Sequence, residues 1–371
     1  MPTIAIDARK FFDFGIGIYI QNLVSTFSSL DTPYRFWLYV SAAQRAKVSA
    51  PNNWELKEAR FGKYSPGEFF SFGRQALRDG VDLFHAPHYT LPSGLHGRSV
   101  VTIHDLIHLK FPQYFSSAQR AYARFMVGHA VRNAGAVIAD SRNTKDDLVE
   151  LFGIDANRVN VVHLGISESF HRMESAHIKR FRQKHDLEAP YLLFVGNVKP
   201  HKNVATLLRA FARVRPRYPD LRLVFVGGRC LQDQGLADLA RDLSVTESVR
   251  DLGRIGDEEV LGTYNAAEML VFPSQYEGFG FPILEAMACG IPTVVSSGGS
   301  IPEVAGDASI ICDPGEPDSF AEAIGILLTD TGRRARLINL GRERIKQFTW
   351  HETARRTLKV YEEVLKRCDE N

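Results

Sequence analysis

Residues 270–285 read Leu-Val-Phe-Pro-Ser-Gln-Tyr-Glu-Gly-Phe-Gly-Phe-Pro-Ile-Leu-Glu. A short apolar run ends at Pro273. A loop with two glycines, Gly278 and Gly280, follows, and then a helical pattern opens with Pro282 in its first turn. A continuous apolar strand that feeds a glycine loop and a helix is the unit of a parallel α/β sheet, buried on both faces. The carboxyl end of such a strand is where open sheets bind ligands. The N–H groups at the start of the helix suit an anion. Glu277 and Glu285 flank that anion site, where a carboxylate is suited to accept hydrogen bonds from hydroxyls rather than to face a phosphate. The plain alternative is a solvated loop with two surface glutamates, which Phe279, Phe281, Ile283 and Leu284 make a poor description.

The same pattern recurs outward from this stretch. Apolar runs at 4–6, 36–40, 83–85, 100–103, 136–139 and 159–163 read as strands of a first half. Those at 191–196, 221–227, 249–252, 269–272, 293–296 and 310–312 read as strands of a second. Helical spacing lies between them at 18–27, 117–133, 203–215, 236–243, 257–266 and 282–288. The alternation predicts two Rossmann-like, doubly wound parallel-sheet domains, and 371 residues exceed what one core usually supports. The first domain is expected over 1–180 and the second over 187–350, with the boundary in 165–187. A last helix over 351–371, with Ala354, Leu358, Tyr361 and Leu365 on one face, is expected to return to the first domain.

Composition narrows the function classes. A net charge of +2 gives no case for a nucleic-acid binder. Cys230, Cys289, Cys312 and Cys368 stand far apart, with neither zinc-knuckle nor disulfide spacing, as suits a reducing cytoplasm. The N-terminus reads as a strand rather than a signal peptide, and no apolar run is long enough to span a bilayer. No D-x-D pair or H-E-x-x-H appears, which argues against a protein-held divalent metal.

Three further stretches carry chemistry. Residues 196–203, Gly-Asn-Val-Lys-Pro-His-Lys-Asn, leave a strand end with Lys199 and Lys202 placed to pair with a diphosphate, and Asn203 as a plausible helix N-cap. Solvent-exposed lysines are the alternative. His104 follows a buried strand, where an imidazole either meets a substrate hydroxyl or bonds nearby backbone; Asp105 either orients it or caps the next segment, and His108 is a weaker candidate. Gly15 and Gly17 sit at a strand-to-helix turn but lack the third glycine of a dinucleotide fingerprint. Lys110, Arg120, Arg124 and Arg132 put positive charge around 117–133, a face that either stays solvated or meets anionic lipid or a lipid-phosphate acceptor.

Taken together, these residues resemble the family 4 retaining glycosyltransferases of GT-B fold, over nearly the whole chain. Glu277 to Glu285 matches the paired-glutamate motif, Gly15 and Gly17 the N-terminal glycine loop, His104 the first-domain histidine and Lys202 the basic residue of the phosphate loop. Residues 162–166 and 348–350 resemble the segments before the linker and at the start of the crossover helix.

The resemblance implies an interdomain cleft in which a nucleotide-sugar donor meets a glycan or lipid-linked acceptor. His104, Lys202 and Glu277 would be catalytic. The donor diphosphate would meet Asn197, Lys199, Lys202, Gly278, Phe279 and Gly280, the ribose Glu285, and the nucleobase Arg254 and Ile255. Gly15, Gly17 and Asp105 would lie on the acceptor side. No cofactor is implied. Asn197 departs from the arginine common at that place, and Lys199 is the candidate to supply the charge. The stretch 196–203 resembles a bacterial branch that includes mannosyltransferases of polysaccharide assembly, hence GDP-mannose as the expected donor. A cytoplasmic protein, peripheral at most to the inner membrane face, is expected. The rivals are a nucleotide-sugar epimerase on the same fold, which needs no acceptor, and an inactive nucleotide-sugar-binding protein, which would be expected to lose Lys202 or a motif glutamate.

Overall fold

A computed structural model describes residues 1–51 and 54–370. The chain divides into two compact units, Met1–Gly165 with Thr349–Asn371, and Ile166–Phe348. Each is built on one parallel sheet.

The first unit holds β1 (Thr3–Asp7), β2 (Arg35–Val40), β3 (Trp54–Glu58), β4 (Leu83–Ala86), β5 (Ser99–Ile103), β6 (Ala136–Ala139) and β7 (Val159–Val161). Among the described residues they form one seven-stranded sheet, ordered β3-β2-β1-β4-β5-β6-β7. The second unit holds β8 (Tyr191–Gly196), β9 (Arg222–Gly227), β10 (Val249–Gly253), β11 (Met269–Phe272), β12 (Thr293–Ser296) and β13 (Ile310–Cys312), ordered β10-β9-β8-β11-β12-β13. All pairings are parallel. Strand order reverses between β1 and β4 in one sheet and between β8 and β11 in the other, so each sheet opens a crevice at those carboxyl ends.

β3 is the strand that apolar patterning misses. It is an edge strand, Trp-Glu-Leu-Lys-Glu, with only Trp54 buried, so it lacks the continuous apolar run of its neighbours. The first helix also begins earlier than expected, at Phe14 instead of Ile18, so Gly15 and Gly17 lie inside its first turn and not in a loop before it.

The expected boundary region packs with the second unit from Ile166 onward. Arg172 donates to the carbonyls of Asn265 and Cys289, and the Met173 N–H donates to Asn265 Oδ1. The helix Ser175–Lys184 lies on the helix Asp257–Ala266, where the Phe181 ring occupies the space a Cβ would take at Gly262. In the first unit the chain closes at Trp350–Asp369, a helix capped by Thr349. It buries Ala354, Val360, Tyr361 and Val364 against the helix Phe14–Ser29 and the central strands.

The second unit's core shows why its site is rigid. Leu192, Phe194, Leu223, Phe225 and Val271 of the sheet meet Val204, Leu207, Leu208, Phe211 and Val214 of the helix Val204–Val214. That spacing is one helical face. Each such side chain contributes about 1.5–3 kcal/mol on burial. The helix therefore holds the turn in front of it in a fixed place.

Candidate functional site

At the second switch point β8 ends at Gly196, and the chain passes Asn197 and Lys199, both exposed, into the turn Pro200–Lys202. Asn203 follows in the left-handed region at φ 56°. It occupies the N-cap position, but its side chain does not cap the helix: Nδ2 donates to the carbonyls of Pro273 (3.1 Å) and Pro314 (2.6 Å), and Oδ1 accepts from Thr206 at 2.9 Å. The Gln275 N–H donates to the His201 carbonyl at 2.7 Å. These bonds staple the loop after β8 to the loop after β11. The result is an ion pair between Lys202 Nζ and Glu277 Oε1 at 2.6 Å, with both side chains 14 % exposed. Lys202 also stands over the Phe272 ring, 5.5 Å from its centre.

The glycine loop is held from behind. Ser300 Oγ donates to the carbonyls of Glu277 (3.0 Å) and Phe279 (2.9 Å), and its N–H also reaches Glu277. A Cβ at Gly299, φ 57°, would come within 2.7 Å of the Glu277 carbonyl oxygen, so only glycine fits there. Gly280, at φ 107°, turns the chain into the helix Phe281–Ala288, with Pro282 in the first turn. This leaves the opening N–H groups of that helix for an anion. Gly278 and Phe279 lie in the loop between, with the Phe279 ring buried.

Glu285 lies on the same helix and accepts a hydrogen bond from Tyr264 at 2.5 Å. Part of its surface meets solvent, yet protein surrounds the carboxylate closely. Burial pushes its pKa up to about 7, against the opposing pull of the Tyr264 bond.

Arg254, exposed, and Ile255, half-buried, follow β10. Arg254 lines a shallow hollow of about 600 Å³ with Val198, Gly227, Arg229, Asp233 and Gly253, built from the carboxyl ends of β8, β9 and β10. Arg229 lies over Gly253, where its Nε would be 2.7 Å from a Cβ. Sequence reading passed over Arg229 and Ser300. Each follows glycines at the carboxyl end of a parallel strand, which is the signal that could have found them.

In the first unit His104 stands at the end of β5. Its Nδ1 lies 2.6 Å from Asp140 Oδ2, and its Nε2 donates to the Pro87 carbonyl at 2.9 Å. Burial disfavours the imidazolium, but the Asp140 charge and these two bonds outweigh it, so the His104 pKa is raised. With both nitrogens engaged, His104 is held by its own unit. Asp140 orients it; Asp105 accepts from the Ile107 N–H at 3.1 Å, at the start of the short helix Ile107–Lys110, and its charge adds to that of Asp140 on the ring.

Gly15 has open space where a Cβ would stand, whereas at Gly17 the Phe11 carbonyl oxygen would lie 2.5 Å away. Gly17 thus serves backbone packing.

The first switch point holds an arginine, a lysine and several tyrosines that sequence reading did not single out, together with His108, which it gave as a weaker candidate. Arg9, fully buried, bridges Asp7 (2.6 Å) and Glu68 (2.7 Å). Lys10 pairs with the Tyr64 hydroxyl, and its pKa is pushed down to about 8 by burial, aided by Lys63. Tyr64, Tyr89, His108, Gln119 and Tyr122 line a hollow of about 410 Å³. Among the described residues no group of three or more His, Cys, Asp or Glu is placed to hold a metal ion, and no helix is long and apolar enough to cross a membrane.

Two doubly wound parallel units, one with a lysine–glutamate pair and a glycine-loop helix terminus at its switch point, define a GT-B glycosyltransferase architecture. Residues 15–170 match the model "Glycosyltransferase Family 4" and residues 176–344 the model "Glycosyl transferases group 1". The O-antigen chain mannosyltransferase B of Escherichia coli is 33% identical over 292 residues, covering 77% of this chain and 76% of that protein. A D-inositol 3-phosphate glycosyltransferase of Salinispora tropica is 30% identical over 334 residues, covering 81% and 69%. The chain belongs to the family 4 glycosyltransferases. Its fold is shared with a sucrose-phosphate synthase from Thermosynechococcus elongatus (TM-score 0.79, 20% identity, 99% of this chain and 100% of that one). It is shared also with an Anabaena protein solved in complex with UDP and glucose (TM-score 0.77, 20% identity, 98% and 99%).

Proposed function

We propose that this glycosyltransferase is a retaining hexosyltransferase that moves mannose from GDP-mannose to a glycan or lipid-linked acceptor in polysaccharide assembly. The observation that carries the reading is the Lys202–Glu277 pair at 2.6 Å, beside a glycine loop that opens a helix. A cation and helix N–H groups at one place suit a departing diphosphate, and the carboxylate beside them suits a sugar hydroxyl. The likeness to an Escherichia coli mannosyltransferase supports mannose as the sugar.

On this reading the donor diphosphate exchanges places with Glu277 at Lys202. Lys202, with Lys199 beside it on the same loop, takes up the charge as the sugar–phosphate bond breaks, and no protein-held metal is needed. Glu277, freed from the lysine, accepts a hydrogen bond from the transferred sugar. Glu285 accepts from the ribose, and the base lies in the hollow by Arg254. The acceptor hydroxyl attacks the face from which the diphosphate leaves and passes its proton to a donor phosphate oxygen. This keeps the anomeric configuration without a carboxylate nucleophile. The first unit would select the acceptor, through the His104–Asp105 loop and the tyrosine-lined hollow.

A thermal-shift series with GDP, UDP, ADP and dTDP tests the base, because the preferred nucleotide stabilises the folded state most. Transfer from GDP-mannose that requires an added acceptor, with an α-linked product, is expected. Equal shifts for all four nucleotides would overturn the guanine assignment. Product formed without acceptor would point to an epimerase, and binding without any turnover to an inactive binding protein.

A further inference from the structure

The second unit has another hollow, at the end of its sheet opposite the switch point. Lys202 and Glu277 follow the carboxyl ends of β8 and β11. This hollow is bounded by Glu268, which precedes β11, and by Gly290 and Ile291, which precede β12. The helices Ser175–Lys184 and Thr331–Ile345 wall it through Lys179, Arg182 and Arg334, and Arg172 enters from the segment before the first of them. Its volume is about 440 Å³, and none of its residues belongs to the donor site.

The charge inside is unbalanced. Four of the lining side chains are cationic, Arg172, Lys179, Arg182 and Arg334, and one, Glu268, is acidic. Glu268 is shared between Arg182 (3.5 Å) and Arg334 (3.0 Å). Arg172 and Lys179 have no carboxylate partner among the described residues. Nor has Arg342, which reaches the rim: a Cβ at Gly290 would stand 3.7 Å from its Nη2 and 3.5 Å from Arg172 Cδ. Acids on the adjoining elements are engaged elsewhere. Glu174 lies 3.8 Å from His177, Glu343 pairs with Lys346, Asp330 accepts from the Arg333 N–H and Glu259 from the Gly256 N–H. Burial, and then the charges of Arg334, Arg342 and Arg182, lower the Arg172 pKa, with Cys289 opposing.

Helix capping explains one of these cations and not the rest. Arg172 donates to the Cys289 carbonyl at 3.3 Å, at the negative end of the helix Phe281–Ala288. Lys179 and Arg342 hold no backbone carbonyl among the described residues. The floor between the cations is apolar, with Ile178, Ile291 and Ile338. Guanidinium forks around an apolar floor fit a phosphate group carried on an organic body: the forks take the oxygens and the floor takes the body.

We propose that this hollow is an anion site separate from the donor site, and that it binds a small phosphorylated organic molecule. A sugar phosphate and a nucleotide share that chemistry, and the probes below separate them.

Titration calorimetry of the full chain with inorganic phosphate, mannose 1-phosphate and GMP, repeated in Lys202→Met to weaken the donor site, tests the assignment. One organic phosphate is expected to bind at least about tenfold tighter than inorganic phosphate in both backgrounds, because the floor adds apolar contact. Lys179→Gln/Arg342→Gln should weaken that probe about tenfold, and Ile338→Asn should remove its advantage over inorganic phosphate. Lys179 and Arg342 are both exposed, so their double variant should keep the wild-type melting temperature. Equal affinity for all three probes, which would mean an adventitious ion only, overturns the proposal. So does unchanged affinity in Lys179→Gln/Arg342→Gln, or binding that vanishes in Lys202→Met alone, which would place the probe in the donor site. Binding of polyglutamate but of neither organic phosphate would make an acidic protein segment the occupant and overturn it as well.

Discussion

Lys202 Nζ and Glu277 Oε1 close at 2.6 Å across the two loops that flank the second switch point. A pair of this kind, four-fifths or more shielded from solvent on each side, satisfies both charges in the absence of a ligand. On the proposed reading the donor diphosphate replaces Glu277 at Lys202. Glu277→Gln leaves Lys202 free, so the nucleoside diphosphate alone should bind as tightly or tighter, while sugar transfer falls. Lys202→Met removes the positive partner and should weaken the same nucleotide about tenfold and cut turnover roughly a hundredfold or more. Titration calorimetry and steady-state transfer rates separate the two effects. Equal loss of nucleotide affinity in both variants would contradict the exchange.

Glu285 makes the fold sensitive to pH and, on the proposed reading, nucleotide binding as well. Its carboxyl sits at about 7 in the folded chain against 4.5 when unperturbed. A raised carboxyl pKa means that the folded state holds the proton more tightly than the unfolded one. The group's stabilising contribution is therefore complete below about 4.5 and is lost as pH rises through about 7. The difference is worth roughly 3 kcal/mol at most. Glu285→Gln should flatten the decline of melting temperature over that window. If ribose hydroxyls donate to the ionised carboxylate, nucleotide binding at a pH just below 7 should release a proton. Calorimetry in buffers of different ionisation enthalpy reads this directly, and it should disappear in Glu285→Gln.

Gly15 and Gly17 should behave oppositely although they stand two residues apart in one helix turn. Space is open at Gly15, so Gly15→Ala should be neutral or stabilising by up to about 1 kcal/mol. At Gly17 a methyl would stand 2.5 Å from the Phe11 carbonyl oxygen, so Gly17→Ala must displace the turn between β1 and the helix. A loss of roughly 1–3 kcal/mol in chemical denaturation is expected. Equal stability of the two variants would contradict the packing role assigned to Gly17.

The central strands of both sheets were legible because parallel strands bury both faces and so read as unbroken apolar runs. β3 was not, because an edge strand with half its side chains in water has no such run. Lys202 and Glu277 were legible because each follows a strand end closely in sequence, and the switch point then brings the two ends together. The partners that tune the site were not. Asp140 reaches His104 from the end of a different strand, Tyr264 reaches Glu285 from the preceding helix, and Ser300 braces the glycine loop from beyond the next strand. Local pattern carries no trace of such pairings, because the sheet order creates them. The Arg9 bridge between Asp7 and Glu68 is another such case, with a sequence separation of 59 on one arm. The early start of the first helix was hidden by its glycines, whose low helix propensity is overridden by the close packing at Gly17.

Asp140 gives the final prediction, because it separates positioning from catalysis at His104. Two influences oppose each other on the imidazole: burial, which favours the neutral ring, and the Asp140 carboxylate at 2.6 Å, which favours the charged one and prevails with help from the Pro87 carbonyl. Asp140→Asn removes the charge and keeps the shape. The His104 pKa should then fall, since burial remains and only the Pro87 carbonyl and the Asp105 charge still oppose it. Stability follows with the sign of a raised histidine. The wild-type contribution is fully present below 6.5 and fades as pH rises through the higher folded value, so the variant should lose most stability relative to wild type on the acid side and least at alkaline pH. Proton NMR of the His104 ring gives the pKa and thermal melts across pH give the stability difference. If transfer also depends on the orientation of His104, the pH profile of the rate should shift toward acid with the ring pKa, an effect that loss of fold alone would not produce. An unchanged ring pKa in Asp140→Asn would show that the carboxylate does not hold the imidazolium.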